Sequence, residues 1–236
     1  NCRTPVVAID IPSGVEGTSG AVAGVAIRAN LTVVLGYLKT GLLLYPGAEH
    51  CGKIVVVDIG IPKSLTYGIK RYFTSERIFD ILPPRPAWGH KGTFGHGLVI
   101  AGSKSMAGAA YLASQALLRT GAGVVTLAVP ASIIHRFPPG EVMVVPVPDH
   151  DQGYFSLASL DSLVELMEKK SALVIGPGLG QAHELTQVLE KLLQGWSGPL
   201  VLDADGLNHI SHNLGWLENV APTVRQKWIF TPHPGE

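Results

Sequence analysis

From position 97 onward, short apolar runs alternate with stretches that carry an apolar residue every third or fourth place. Residues 98–101 form a run, and Met106, Ala110, Ala113 and Leu117 then fall on one helical face before the next run at 124–129. Leu160, Leu163, Val164 and Met167 make a second stripe ahead of the run 172–175. Leu185, Val188, Leu189, Leu192 and Leu193 make a third ahead of 199–202, and 228–230 is the last run. Runs of three to six residues of this kind suit buried strands, and the stripes have the period of amphipathic helices. Their alternation predicts a mostly parallel sheet with helices on its faces.

The first 60 residues have a different texture. Three β-rich runs, 6–11, 31–36 and 53–59, are separated by stretches broken with Gly and Pro, and by themselves they do not close a domain. Between 62 and 90 the sequence turns mixed and polar, with Pro83, Pro84 and Pro86 stiffening one part. The pattern therefore predicts an α/β chain with part of one domain over 1–70, a connection over 71–90 and part of a second domain over 91–236.

Composition narrows the partners. The chain of 236 residues is 46% hydrophobic and 15% charged, enough apolar material for a packed core. Eighteen basic residues balance eighteen acidic ones, and no Lys/Arg run accompanies an aromatic series, so neither nucleic acid nor a membrane surface is an expected partner. Small molecules are the expected ligands, and a homo-oligomer is compatible with this composition. The two cysteines, Cys2 and Cys51, make no disulfide framework and no CxxC metal site, which fits a reducing, cytoplasmic setting. The opening "NCRTPVVAID" has no signal-peptide layout and runs directly into an apolar stretch.

Five strand ends carry candidate chemistry. In "VVAIDIPSG" Asp10 closes a strand, where a carboxylate can receive a ligand hydroxyl or act as a base, and Ser13 offers an oxygen to a hard monovalent cation. An Asx-type turn in which Asp10 caps its own loop explains the stretch equally well. In "GLVIAGSKSMAGAAYLAS" the small residues Gly108, Ala109 and Ala110 open a helix, allowing either ligand approach to free N–H groups or tight packing on the sheet. "LVIGPGLGQ" sets Gly176, Gly178 and Gly180 between strand and helix; it is neither GxGxxG nor a P-loop, and alone it reads as a tight turn. "PLVLDADGLNHI" puts Asp203 and Asp205 two apart, on one side if the strand continues, as a Mg²⁺-binding or hydroxyl-orienting pair or a simple turn. His209 and His212 read as surface or capping residues. In "TPHPGE" two φ-locked prolines flank His233.

Taken together and in order, "AIDIPSG", "VVVDIGIP", "HKGTFGHGLVIAGS", "GPGLG", "LDADGLN" and "TPHPGE" resemble the bifunctional NAD(P)H-hydrate repair enzymes. In that family an NAD(P)H-hydrate epimerase domain precedes an ADP- or ATP-dependent NAD(P)H-hydrate dehydratase domain. The resemblance implies the C-terminal part of a Rossmann-like domain over 1–70 and the N-terminal part of a ribokinase-like α/β/α domain over 91–236. It implies that Asp10 contacts the hydrated nucleotide and acts in epimerisation, and that Ser13 helps hold K⁺. It implies further that Ala109 or Ala110, Gly178 or Gly180, and His233 line the hydrate site of the dehydratase. The resemblance also implies that ADP or ATP with Mg²⁺ phosphorylates the hydrate's C6 hydroxyl and that loss of phosphate restores NAD(P)H. The family's earlier Gly- and Asn-rich motif is expected upstream of Asn1, and its nucleotide segment beyond Glu236, so the chain reads as cut within both domains. Rival readings are a vitamin or sugar kinase of the ribokinase superfamily and a non-catalytic scaffold that retains the pocket.

Overall fold

A computed structural model describes residues 4–233, apart from the side chains of Glu76, Arg77 and Phe79. Its chain divides between Leu82 and Pro83 into two units. The stretch expected to connect two domains, 71–90, is shared between them. Residues 83–90 fold with the second unit, where the Arg85 guanidinium lies 3.9 Å over the Phe94 ring and donates to the Gly121 carbonyl at 3.1 Å.

In the first unit the three β-rich runs become parallel strands β1 (Val7–Ile9), β2 (Leu31–Leu35) and β3 (Lys53–Val57), in that spatial order. All three stop earlier than the apolar runs suggest, β2 by a single residue and the other two by more. At β1 the cause is Asp10, which turns to φ +67° while its N–H still donates to Val33 O at 2.8 Å. At β3 the Asp58 carboxylate accepts the Gly60 N–H at 2.8 Å in an Asx turn. The core is small: Val34, Leu42 and Cys51, with Ile11, Leu38 and Ile54 packed against them. Burial raises the Cys51 thiol pKa, which keeps it protonated and inert.

The second unit carries β4 (His96–Ile100), α1 (Ala107–Arg119), β5 (Val124–Pro130), β6 (Met143–Val147), α2 (Leu160–Met167) and β7 (Ala172–Ile175). After these come α3 (Glu184–Gln194), β8 (Leu200–Leu202), α4 (Asp205–Ser211), α5 (Gly215–Glu218), α6 (Pro222–Arg225) and β9 (Trp228–Phe230). All six strands are parallel, in the order β6-β5-β4-β7-β8-β9. Alternation along them feeds two cores. Val99, Val125, Leu127 and Val129 face Ala110 and Leu117 of α1, while Leu98, Ile100, Leu173 and Ile175 face the stripes of α2 and α3. All five stripe residues of α3 are buried, and each such side chain is worth about 1.5–3 kcal/mol relative to exposure. The α/β class read from the pattern is the observed one.

Two features lie outside that reading. Strand β6 contains Pro146, which removes a ladder donor and argues against a strand; β6 is an edge, where that loss is tolerated. Residues 205–225 hold three short helices, none of which the hydrophobic pattern announced.

Candidate active site

The chain winds from β4 through β5 to β6 on one side and from β7 through β8 to β9 on the other, so the direction reverses between β4 and β7. Open parallel sheets leave a crevice at such a reversal, outside the carboxyl ends of the strands. The loops after β4 and β7 border it, those after β8 and β9 emerge from the same ends of the neighbouring strands, and each holds a stretch singled out from the sequence.

Gly102 N–H donates to Pro177 O at 2.9 Å, tying the loop after β4 to the glycine loop after β7. Gly178, at φ +68°, is pressed against the start of α1: a Cβ there would sit 2.7 Å from Met106 O and 2.9 Å from Ala109 Cβ. Only glycine fits. Ala109 is half-buried at this contact, whereas Ala110 is fully buried and packs on Gly102 in the core. The first turn of α1 has no acidic residue and no side-chain cap, and the space beside Gly108 is open. Its free N–H groups can therefore receive a polar or anionic ligand group.

Gly180 N–H donates to Asp205 Oδ2 at 2.8 Å and Gln181 Nε2 to Asp205 Oδ1 at 2.7 Å. Asp205 thus works on the glycine loop, not beside Asp203. Ala204 between them takes φ +49°, which ends the extended backbone and sends the two carboxylates apart; Asp203 accepts from Thr231 Oγ1 at 2.7 Å. No group of three or more metal-ligating side chains occurs among the described residues. His209 also departs from expectation. It is only 3% exposed, and it bridges Gly180 O at 2.9 Å and Thr186 Oγ1 at 3.0 Å, buttressing the glycine loop from below. His233 follows β9 two residues after Thr231 and is exposed. The remainder of the "TPHPGE" stretch, Pro234 to Glu236, lies outside the described residues.

In the first unit Asp10 is half-buried at the end of β1. Its Oδ1 accepts Leu35 N–H at 3.0 Å and is ion-paired with the Lys39 ammonium, which also donates to Leu35 O at 2.9 Å. The bond from Lys39, more than the others, pulls the Asp10 carboxyl below its ordinary range. Ser13 is exposed, and its carbonyl accepts Ile27 N–H at 2.9 Å. A hard cation such as K⁺ needs a shell of oxygens. Ser13 supplies one hydroxyl, and the Asp10 charge is already balanced by Lys39, so these two residues alone do not make a K⁺ cage.

A sequence profile of the NAD(P)H-hydrate dehydratase family matches residues 97–236, which takes in the whole crevice. The chain belongs to this family. A second profile, described as YjeF-related protein N-terminus, matches residues 1–41, including Asp10, Ser13 and Lys39. The bifunctional NAD(P)H-hydrate repair enzymes Nnr of Coxiella burnetii and Moorella thermoacetica are each 37% identical to 98% of this chain, which spans 44% of their length. The Escherichia coli enzyme of the same name is 34% identical over 98% of the chain and 42% of its own length. The chain thus spans less than half of these relatives. Among solved structures, a ribokinase-like superfamily protein from Enterococcus faecalis superposes with a TM-score of 0.54 at 26% identity, covering 69% of this chain and 54% of that one. The family and fold implied by the six motifs are those found by comparison.

Sequence reasoning missed Lys39, His209 and Gln181. The signal for Lys39 was slight: a lone cation in the Gly-flanked turn "GYLKTG" after a strand.

Proposed function

We propose that this chain carries parts of two active sites of nicotinamide-nucleotide repair. In the first unit Asp10 contacts the R- and S-hydrates of NADH or NADPH and assists their interconversion. In the second, the crevice between β4 and β7 holds the S-hydrate for dehydration, with Ala109, Gly178, Gly180 and His233 along its rim. Ala110, being buried, supports Ala109 from the core. ADP or ATP with Mg²⁺ supplies the phosphoryl group that turns the hydrate's hydroxyl into a leaving group. Elimination then breaks the C–O bond, releases phosphate and a ring proton, and restores the ring double bond.

This chain's own contribution to that step is binding and orientation. The glycine loop brings backbone within reach of a flat ring, and the α1 N-terminus faces the polar end of the ligand. The whole repair cycle, a K⁺ shell to which Ser13 gives one oxygen, a cytoplasmic setting and self-association are part of the same reading. The groups that bind the nucleotide's phosphates are expected outside the loops described.

The observation that carries the reading is the convergence of the loops after β4, β7 and β8 on one crevice, inside the stretch matched by the dehydratase family. The test is incubation of the full-length protein with NADH hydrate, Mg²⁺ and ADP or ATP. Nucleotide-dependent return of NADH absorbance is expected. The ribokinase-like fold favours one other reading, a small-molecule kinase, which would accumulate a stable phosphorylated product and no NADH.

A further inference from the structure

Asp10 is held in an uncommon way. Its φ of +67° costs about 1–2 kcal/mol for a residue other than glycine. Both donors that reach its carboxylate, Leu35 N–H and the Lys39 ammonium, converge on the same oxygen, Oδ1. Among the described residues Oδ2 has no donor. The Lys39 ammonium is itself tied down by the Leu35 carbonyl at 2.9 Å.

The turn that carries Lys39 is equally constrained. Gly41 N–H donates to Gly17 O at 2.8 Å, and a Cβ at position 41 would lie 2.2 Å from Glu16 O, so the 16–20 loop fixes the backbone beside Lys39. Lys39 also borders a cavity of about 100 Å³ together with Thr40, Arg71, Tyr72 and Phe73. An ordinary surface ion pair is free to swing and contributes little. This one is part-buried and anchored at both ends.

We propose that Lys39 is a positioning residue of the epimerase site: it clamps Oδ1 of Asp10 so that Oδ2 alone is presented to the hydroxyl of the hydrate. The proposal rests on the reading of Asp10 as a substrate contact. Lys39 is the one charged group facing this carboxylate among the described residues, so its removal both frees the carboxylate to rotate and raises its pKa. Misplacement of a reacting group by about 1 Å can lower a rate by around 10²-fold.

The experiment compares the full-length protein with Lys39→Met, Lys39→Arg, Asp10→Asn and the double variant Asp10→Asn/Lys39→Met in epimerisation of R-hydrate. Lys39→Met should lower kcat by about 10- to 100-fold with a smaller change in KM, and should move the acid limb of the rate profile to higher pH. Lys39→Arg should retain most of the rate, and the double variant should be no slower than Asp10→Asn alone. Parent-like kcat in Lys39→Met, or losses that multiply in the double variant, overturn the proposal. Should the methionine variant not fold, Lys39→Gln, which keeps a donor for Leu35 O, gives the same readouts. Carbon NMR of the Asp10 carboxyl separates this proposal from the reading beneath it. A midpoint unmoved by loss of Lys39 overturns the clamp, whereas a parent that epimerises nothing overturns the functional reading and leaves the NMR result standing.

Discussion

The two units build their sites on unequal foundations. In the second, the central strands β4 and β5 of a six-stranded parallel sheet are buried on both faces, and the candidate site is made of backbone: glycine loops, a helix start, and side chains such as His209 and Asp205 that hold those loops. In the first, three strands share a core of a few residues, and Val7, Ile9, Val55 and Val56 remain exposed on a parallel sheet that would ordinarily be covered on both faces. There the candidate site is made of charge: a carboxylate in a strained backbone, clamped by one ammonium. A thick core can hold a ligand surface through shape alone. The first unit, as far as it is described, holds its carboxylate through directed polar contacts instead.

The largest expected effect is in hydrogen exchange. Amides of β4, β5 and β7 should exchange more than 100-fold more slowly than those of β1 and β3, because opening the second unit exposes two packed cores. Equal protection across both sheets would remove the contrast.

Gly178→Val strikes the site that depends on shape. A branched side chain at φ +68°, against Met106 O and Ala109, should destabilise the second unit by about 3 kcal/mol and abolish dehydration, read by thermal melting and by NADH recovery. His209→Ala removes two bonds beneath the same loop. It should lower stability by about 1–3 kcal/mol while leaving epimerisation untouched; a drop in the epimerase rate would contradict the separation of the two sites.

The smallest effect is the response of the first unit to acid. Glu16 is drawn down to about 2, chiefly by its bond from Ser19 and also by the Thr18 N–H, and Asp10 is lowered by Lys39 and Leu35. Groups with depressed folded pKa values stabilise above their unfolded pKa, and that contribution is lost as pH falls through the folded value. The unit should therefore weaken between about pH 4.5 and pH 2, as followed by Tyr fluorescence, and Glu16→Gln should flatten that limb.

The parts that were legible in the sequence were local. A run of Leu, Val and Ile closed by "GPGLG" states both a strand and the loop that ends it, and the five-residue stripe of α3 matches the buried set residue for residue. What stayed hidden joins distant positions. Lys39 meets Asp10 across 29 residues, and His209 meets Gly180 across the same separation, so neither partner is signalled by its neighbours. Asp203 and Asp205 misled for a different reason: their spacing implies one face only while the chain stays extended, and Ala204 breaks it. Pro146 masked β6 because a propensity that forbids an interior strand permits an edge.

The central claim is that the two sites serve successive steps of one repair. Its most direct measurement is the conversion of an equal mixture of R- and S-NADH hydrate by full-length protein with ATP and Mg²⁺, comparing the parent, Asp10→Asn and Gly178→Val by chromatography. The account predicts that the parent consumes both hydrates, that Asp10→Asn consumes the S form and leaves the R form at its spontaneous rate of loss, and that Gly178→Val restores no NADH. Consumption of both hydrates at the parent rate by Asp10→Asn, or undiminished NADH recovery by Gly178→Val, would contradict it.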